Sequence, residues 1–264
     1  MVSASLKNKR ILVTRPAHQA EQLCRLISDV GGTAVVFPTI EIRPVLNSKE
    51  LSDCFANINQ YDFVIFVSRN AVAAVFQYYL NKDDLNSGNI QLLAIGSGTA
   101  SALSELSMSD VLHAGVQADS ESLLLLSELD SELVRNRKVL IVRGIGGREL
   151  LADNLKQRGA WVDYAEVYQR ALPEYEIQQS RELWQNEQPD AVIISSNEGL
   201  ENLLKLTADV DQEKLFKTPL IMMSTRNAEL AKQSGFLSET RIAKEKNDEG
   251  LLSALLELVG ETQA

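Results

Sequence analysis

Histidine and cysteine are scarce in this chain, and no apolar run in it is long. Its 264 residues include two histidines, His18 and His113, and two cysteines, Cys24 and Cys54. The histidines stand in unrelated contexts without HExxH, which argues against a histidine-based metal site. With GxSxG also missing, a Ser/His/Asp hydrolase is excluded as well. The cysteines have no CxxC spacing and read as reduced thiols, Cys24 on a helix. Apolar runs such as Leu123–Leu126 fall far short of the ~20 residues that span a bilayer. No basic-then-apolar leader opens the chain, so the expected location is cytoplasmic. Positive charge is outweighed too. A net charge of −10 argues against nucleic-acid or membrane partners, which need a basic field.

What the chain does have is a repeat. Arg10-Ile-Leu-Val-Thr-Arg15 returns as Lys138-Val-Leu-Ile-Val-Arg143, an offset of 138 − 10 = 128. Asp62–Ser68 returns as Asp190–Ser196, Leu93–Gly96 aligns with Ile221–Ser224, and Glu121-Ser-Leu-Leu with Glu249-Gly-Leu-Leu, all in the same register. Within each copy, apolar strand-length runs alternate with segments of helical spacing, such as Leu23, Leu26, Ile27 and Val30 before a Gly31-Gly32 stop. Ser120–Leu129 reads as the last helix of the first copy. This pattern predicts an α/β protein with two flavodoxin-like parallel-sheet lobes of strand order 2-1-3-4-5, and a cleft between them.

Pro38–Pro44 and Glu166–Pro173 are extended, alternate in polarity and carry prolines, and are expected to belong to neither sheet. The join at Asp130–Arg137 is short, charged and free of glycine and proline. A crossed arrangement follows: residues 1–38 plus 173–264 form the first lobe and 44–165 the second. Residues 39–43 and 166–172 are then the two linker strands, hinging the lobes. Two simple tandem domains are the alternative.

Ligands of open parallel sheets bind beyond the carboxyl ends of the strands. There the chain places Thr14-Arg15-Pro16, Arg143-Gly144 and Gly146-Gly147-Arg148, Ser68-Arg69-Asn70, Ser195-Ser196-Asn197, Gly96-Ser-Gly-Thr99 and Ser224-Thr-Arg-Asn227. Free backbone N–H groups at helix starts favour anions, although serine and threonine there also serve as simple N-caps worth ~1 kcal/mol each. The same residue types at equivalent places in both copies, beside arginines, point to a ligand with many carboxylates. Nucleotide motifs are weak: Gly96-Ser-Gly98-Thr-Ala-Ser101 and Gly144-Ile-Gly146-Gly-Arg-Glu149 each lack the third glycine of GxGxxG, and no Walker A lysine is present.

Val13-Thr-Arg-Pro16, Phe66–Val72, Ala94–Thr99, Arg143–Arg148 and Val167-Tyr-Gln-Arg170 together resemble the uroporphyrinogen-III synthase family, in order, from about residue 9 to 259. The resemblance implies two flavodoxin-like lobes on a two-stranded linker and a cofactor-free lyase. Its substrate would be hydroxymethylbilane, closed with loss of water and inversion of the terminal pyrrole. It further implies Tyr168 as the catalytic residue. Thr14, Arg15, Ser68, Asn70, Gly96, Thr99, Arg143, Gly144, Arg148, Ser196, Asn197, Ser224 and Asn227 are then the expected substrate binders. One departure is that the family often has Gly-x-x-Thr where this chain has Ser224-Thr-Arg-Asn227, which puts a threonine hydroxyl there in doubt. The expected protein is a monomer that touches the bilane-producing enzyme transiently. The rival readings are a non-catalytic two-lobed sensor of a polyanionic metabolite and a nucleotide-dependent enzyme.

Overall fold

A computed structural model describes residues 4–86, 90–115, 119–176, 181–184, 188–208 and 212–262. Its strands, in chain order, are β1 (Ala4–Ser5), β2 (Arg10–Val13), β3 (Thr33–Val36), β4 (Glu41–Pro44), β5 (Phe63–Phe66), β6 (Gln91–Ala94), β7 (Leu112–His113), β8 (Lys138–Gly144), β9 (Trp161–Ala171), β10 (Ala191–Ile194), β11 (Leu220–Met222), β12 (Thr240–Ile242) and β13 (Glu261–Thr262). The chain divides into two compact units, Met1–Glu41 with Ala171–Ala264, and Ile42–Arg170.

In the first unit the sheet order is β12-β11-β10-β2-β3, every pair parallel. Counted along the unit this is the 2-1-3-4-5 order of flavodoxin-type sheets. The central pair joins Ile11 to Ala191, 191 − 11 = 180 residues apart. Alternation along each strand feeds two cores. Leu12, Val192, Ile194 and Met222 pack on one face with Leu200, Leu203 and Trp184. Ile11, Val13, Ile193 and Ile221 pack on the other with Leu23, Ile27, Leu251 and Leu255. Burial on both faces is why these strands read as unbroken apolar runs. The helix Ala17–Asp29 buries Ala20, Leu23 and Ile27, and the chain turns out of it at Gly31, whose φ of 86° suits glycine.

The second unit has the order β4-β9-β8-β5-β6-β7, parallel from β9 to β7. With β8 counted first and β9 second, its five parallel strands repeat the same order. Val64, Phe66, Leu140 and Val142 enter one core, and Ile65, Leu93, Val139 and Ile141 the other. Among the described residues, no helix is long and apolar enough to cross a membrane.

Two sequence expectations need correction. The stretches thought to lie in neither sheet are partly in one. β4 is the edge strand beside β9, and Glu166 and Tyr168 pair with Arg143 and Gly144 of β8. The segment Ser120–Leu129 is not one helix but a turn of α-helix, Ser120–Leu123, followed by a 3-10 turn, Ser127–Leu129. Arg158 Nη1 donates to the carbonyls of Leu124 (2.9 Å) and Leu129 (2.6 Å). That guanidinium takes up the Leu124 carbonyl, which a continuing helix would have satisfied itself, and the Leu129 carbonyl at the end of the segment.

Candidate active site

Each sheet ends in helix N-termini held open by short side chains. Ser68, Ser196 and Ser224 all have extended backbones and accept from the N–H three residues on, at Ala71, Gly199 and Asn227. Gly96 is the corresponding N-cap after β6; it is buried and makes no side-chain bond. Thr99 is not a cap; it is buried in the first turn of that helix, as Asn70 is in the helix after Ser68. The N-cap role of the serines is therefore real, and it aligns backbone donors at the strand ends.

In the second unit these ends border a cavity of about 310 Å³, bounded by Ser68, Asp119, Gly144, Arg148, Tyr168 and Arg170 among others. A bulge builds its floor. β8 and β9 pair residue for residue up to Arg143 and Glu166, and then Gly144 faces Tyr168, with Val167 left over. Val167 and Tyr168 are consequently both buried, where plain alternation would turn one of them outward. The outer end of the Tyr168 ring lies close against Gly144; a Cβ there would stand 2.7 Å from Tyr168 Cζ. Only glycine fits. The Tyr168 hydroxyl is 3.0 Å from Ser68 Oγ, and either can be the donor.

Arg143 borders the same cavity but is buried and fully engaged. It donates to Glu149 (2.8 Å) and Glu166 (3.1 Å) and lies over the Tyr164 ring at 3.7 Å. Burial opposes its charge, but the bonds to Glu149 and Glu166 and the neighbouring Tyr164 outweigh that and raise its pKa. Glu149 is held below its ordinary value by the Tyr164 hydroxyl and then by Arg143. Tyr164 is pushed up to about 12, first by desolvation and then by its bond to Glu149. Arg148 is different: its side chain is 65% exposed and pairs with Glu121 at 2.6 Å. Ion pairs this wet contribute little, so Arg148 is the cation that a ligand carboxylate can readily take over.

In the first unit an open hollow of about 450 Å³ is bounded by Ser196, Asn197, Ser224, Arg226, Asn227 and Lys246, with Ser195 and Met223. Asn227 Nδ2 donates to Asn197 Oδ1 (2.6 Å), and Ser224 Oγ to Asn227 Oδ1 (2.8 Å), so one amide ties two helix ends together. One donor of the Asn227 amide is spent in this way, and the residue still borders the hollow. Thr14 and Arg15 are likewise engaged inside the unit. The Thr14 hydroxyl donates to the Ile193 carbonyl (2.8 Å) and Thr39 N donates to the Thr14 carbonyl (3.0 Å). Arg15 is buried in an ion pair with Asp248. Both are consumed in the interior, because the unit must satisfy polar groups buried where its two chain segments meet.

Sequence reasoning missed Asp119, Ser120, Arg170, Arg226 and Lys246 as wall residues, and Glu149, Tyr164 and Glu166 around Arg143. The repeat carried a signal for the first of these. Asp119 falls opposite Asn247 (247 − 119 = 128), and both cap a helix, accepting from Ser122 and Gly250.

Known proteins match this arrangement. The family described as Uroporphyrinogen-III synthase HemD matches residues 21–253. The uroporphyrinogen-III synthase of Escherichia coli (strain K12) is 34% identical over 247 residues, 93% of this chain and 99% of that one. Its counterpart in Salmonella typhimurium is 33% identical over 247 residues, with the same coverage. Among solved structures, uroporphyrinogen-III synthetase from Helicobacter pylori shares the fold, with a TM-score of 0.61 at 17% identity over 95% of this chain and 99% of that one.

Proposed function

Because the chain belongs to the uroporphyrinogen-III synthase family, we propose that it closes hydroxymethylbilane to uroporphyrinogen III, a lyase step of tetrapyrrole biosynthesis. The observation that carries this reading is the pairing of Tyr168 with Ser68 at a strand-end cavity, where the tyrosine ring takes the space a Cβ at Gly144 would fill. Family membership disfavours the non-catalytic sensor.

The chemistry follows from the substrate. The C–O bond of the hydroxymethyl group breaks and water leaves, giving an electrophilic methylene at one end of the bilane. The terminal pyrrole attacks through its substituted carbon, forms a spiro intermediate, and reopens and recloses with that ring inverted. Uncatalysed closure skips the inversion and gives the type I isomer. The protein's task is chiefly orientation, which can supply up to ~7–11 kcal/mol. Tyr168 would donate to the departing hydroxyl, with Ser68 holding the phenol in place.

The carboxylate arms would be met by the helix N-termini after Ser68, Gly96, Ser196 and Ser224, each contributing ~0.3–1 kcal/mol, and by Arg148. Asn70, Thr99, Gly144 and Asn197 would shape those ends. No cofactor is required by this route. We further propose that the two sheets descend from one repeated unit, that β4 and the end of β9 link them, and that the protein works as a cytoplasmic monomer receiving its substrate from the bilane-producing enzyme.

The test is incubation with hydroxymethylbilane, oxidation and separation of the porphyrin isomers. Type III product is expected; type I alone would overturn the reading. Tyr168→Phe should lower kcat for type III by ~10²–10⁴-fold, the usual range for a positioned proton donor. Product binding should survive that change.

A further inference from the structure

Arg143 sits where a ligand-gripping arginine would be expected, yet every nitrogen of its guanidinium is already used. Nε donates to Glu166 (3.1 Å), Nη2 to Glu149 (2.8 Å), and Nη1 to the carbonyls of Gly147 (3.2 Å) and Arg148 (3.4 Å). The loop packs down on it: a Cβ at Gly147 would lie 3.2 Å from Arg143 Cδ. Trans peptides are planar, so turning those two carbonyls toward the guanidinium points the N–H groups of Arg148 and Glu149 away from it. The guanidinium is itself held by a second layer. Tyr164 supports it by its ring face, and the Tyr164 hydroxyl donates to Glu149 Oε2 at 2.5 Å. Arg143 itself borders the cavity, as Gly144 through Arg148 all do, whereas neither Tyr164 nor Glu149 is among its described bounding residues.

We propose that Arg143 is a positioning residue: with Glu149 and Tyr164 it fixes the backbone of the Gly144–Arg148 loop as a preset anion-binding wall and does not itself hold substrate. The inference rests on reading the cavity as the bilane site.

Two measurements test it. The first needs no substrate. In glycine-labelled protein, the amide order parameters of Gly146 and Gly147 should fall from about 0.85 towards 0.6 in Tyr164→Phe and Glu149→Gln. Unchanged order would overturn the proposal. The second is steady-state kinetics of type III formation. Both variants should raise KM by about fivefold, as loss of one charge-assisted bond acting through the loop would do, with a smaller change in kcat. If Arg143 gripped a carboxylate directly, both variants would keep the wild-type KM, and that result would overturn the proposal. A uniform loss of folded protein with unchanged KM in what remains would do the same, marking a merely structural role. Should the unaltered protein yield only type I porphyrin, the proposed function fails, and the order parameters alone then decide whether Arg143 sets the loop.

Discussion

Arg15 and Arg143 hold the same place in the repeat (143 − 15 = 128), and both are buried, yet they meet different partners. Arg15 pairs with Asp248, which lies in the opposite segment of its discontinuous unit. It clamps that unit. Arg143 is met by two glutamates, two carbonyls and a tyrosine ring, all within its own stretch of chain. At the position matching Asp248 (248 − 128 = 120) the second unit has Ser120, which borders the cavity. Where one unit inserts a carboxylate, the other leaves space. The matching position to Gly144 is Pro16, which caps the helix Ala17–Asp29 directly. An equivalent position along the repeated sequence therefore does not assign a role; the partners do.

The sharpest way to break this comparison is to remove a carboxylate from each arginine. Asp248→Ala strands a buried guanidinium, and urea denaturation should show a loss of ~3–5 kcal/mol. Glu149→Gln should cost clearly less, since Glu166 and Tyr164 remain on Arg143. Equal losses would erase the distinction. Next in size is Gly144→Ala, whose methyl must displace the Tyr168 ring. Overpacking of this kind costs ~1–3 kcal/mol, and type III formation should fall with it. Adding Tyr168→Ala relieves that clash but empties a buried ring site, which itself costs ~3–5 kcal/mol, so neither stability nor activity should return.

Smaller still are the paired caps. Ser68→Ala and Ser196→Ala should each lose ~1 kcal/mol by chemical denaturation, but only Ser68→Ala also removes the contact to Tyr168. It should slow type III formation more than Ser196→Ala does. The smallest effect concerns pH. Glu149 is held low by Tyr164 and then Arg143, so its stabilisation is present above the ordinary glutamate value of about 4.3. It is lost as pH falls through the lower folded value. The melting gap between wild type and Glu149→Gln should close in that acid range and stay open at neutral pH.

Most of the sheet architecture was legible because strands buried on both faces leave unbroken apolar runs, and because one offset aligned Ser68 with Ser196 and Gly96 with Ser224. The strand-end serines were likewise readable from residue type and place. The bulge was not. Its trace in the sequence is the glycine at 144, and the tyrosine that requires it stands 24 positions on (168 − 144). Nor did anything local tie Arg15 to Asp248, 233 residues away. The helix expected over Ser120–Leu129 stops after Leu123, and Arg158, from another helix end, takes the carbonyls at Leu124 and Leu129. Propensity along a segment does not register a donor arriving from outside it.

The pairing of β2 with β10 across 180 residues has a consequence for the newborn chain. On the ribosome, the second unit is complete once Arg170 has emerged, whereas β2 has β3 on one side and nothing on the other until Ala191–Ile194 is made. During that interval an apolar strand edge waits uncovered, a template for stray pairing with other chains. Slowing translation after the second unit should therefore raise misassembly of the first unit, while the second has already folded and escapes.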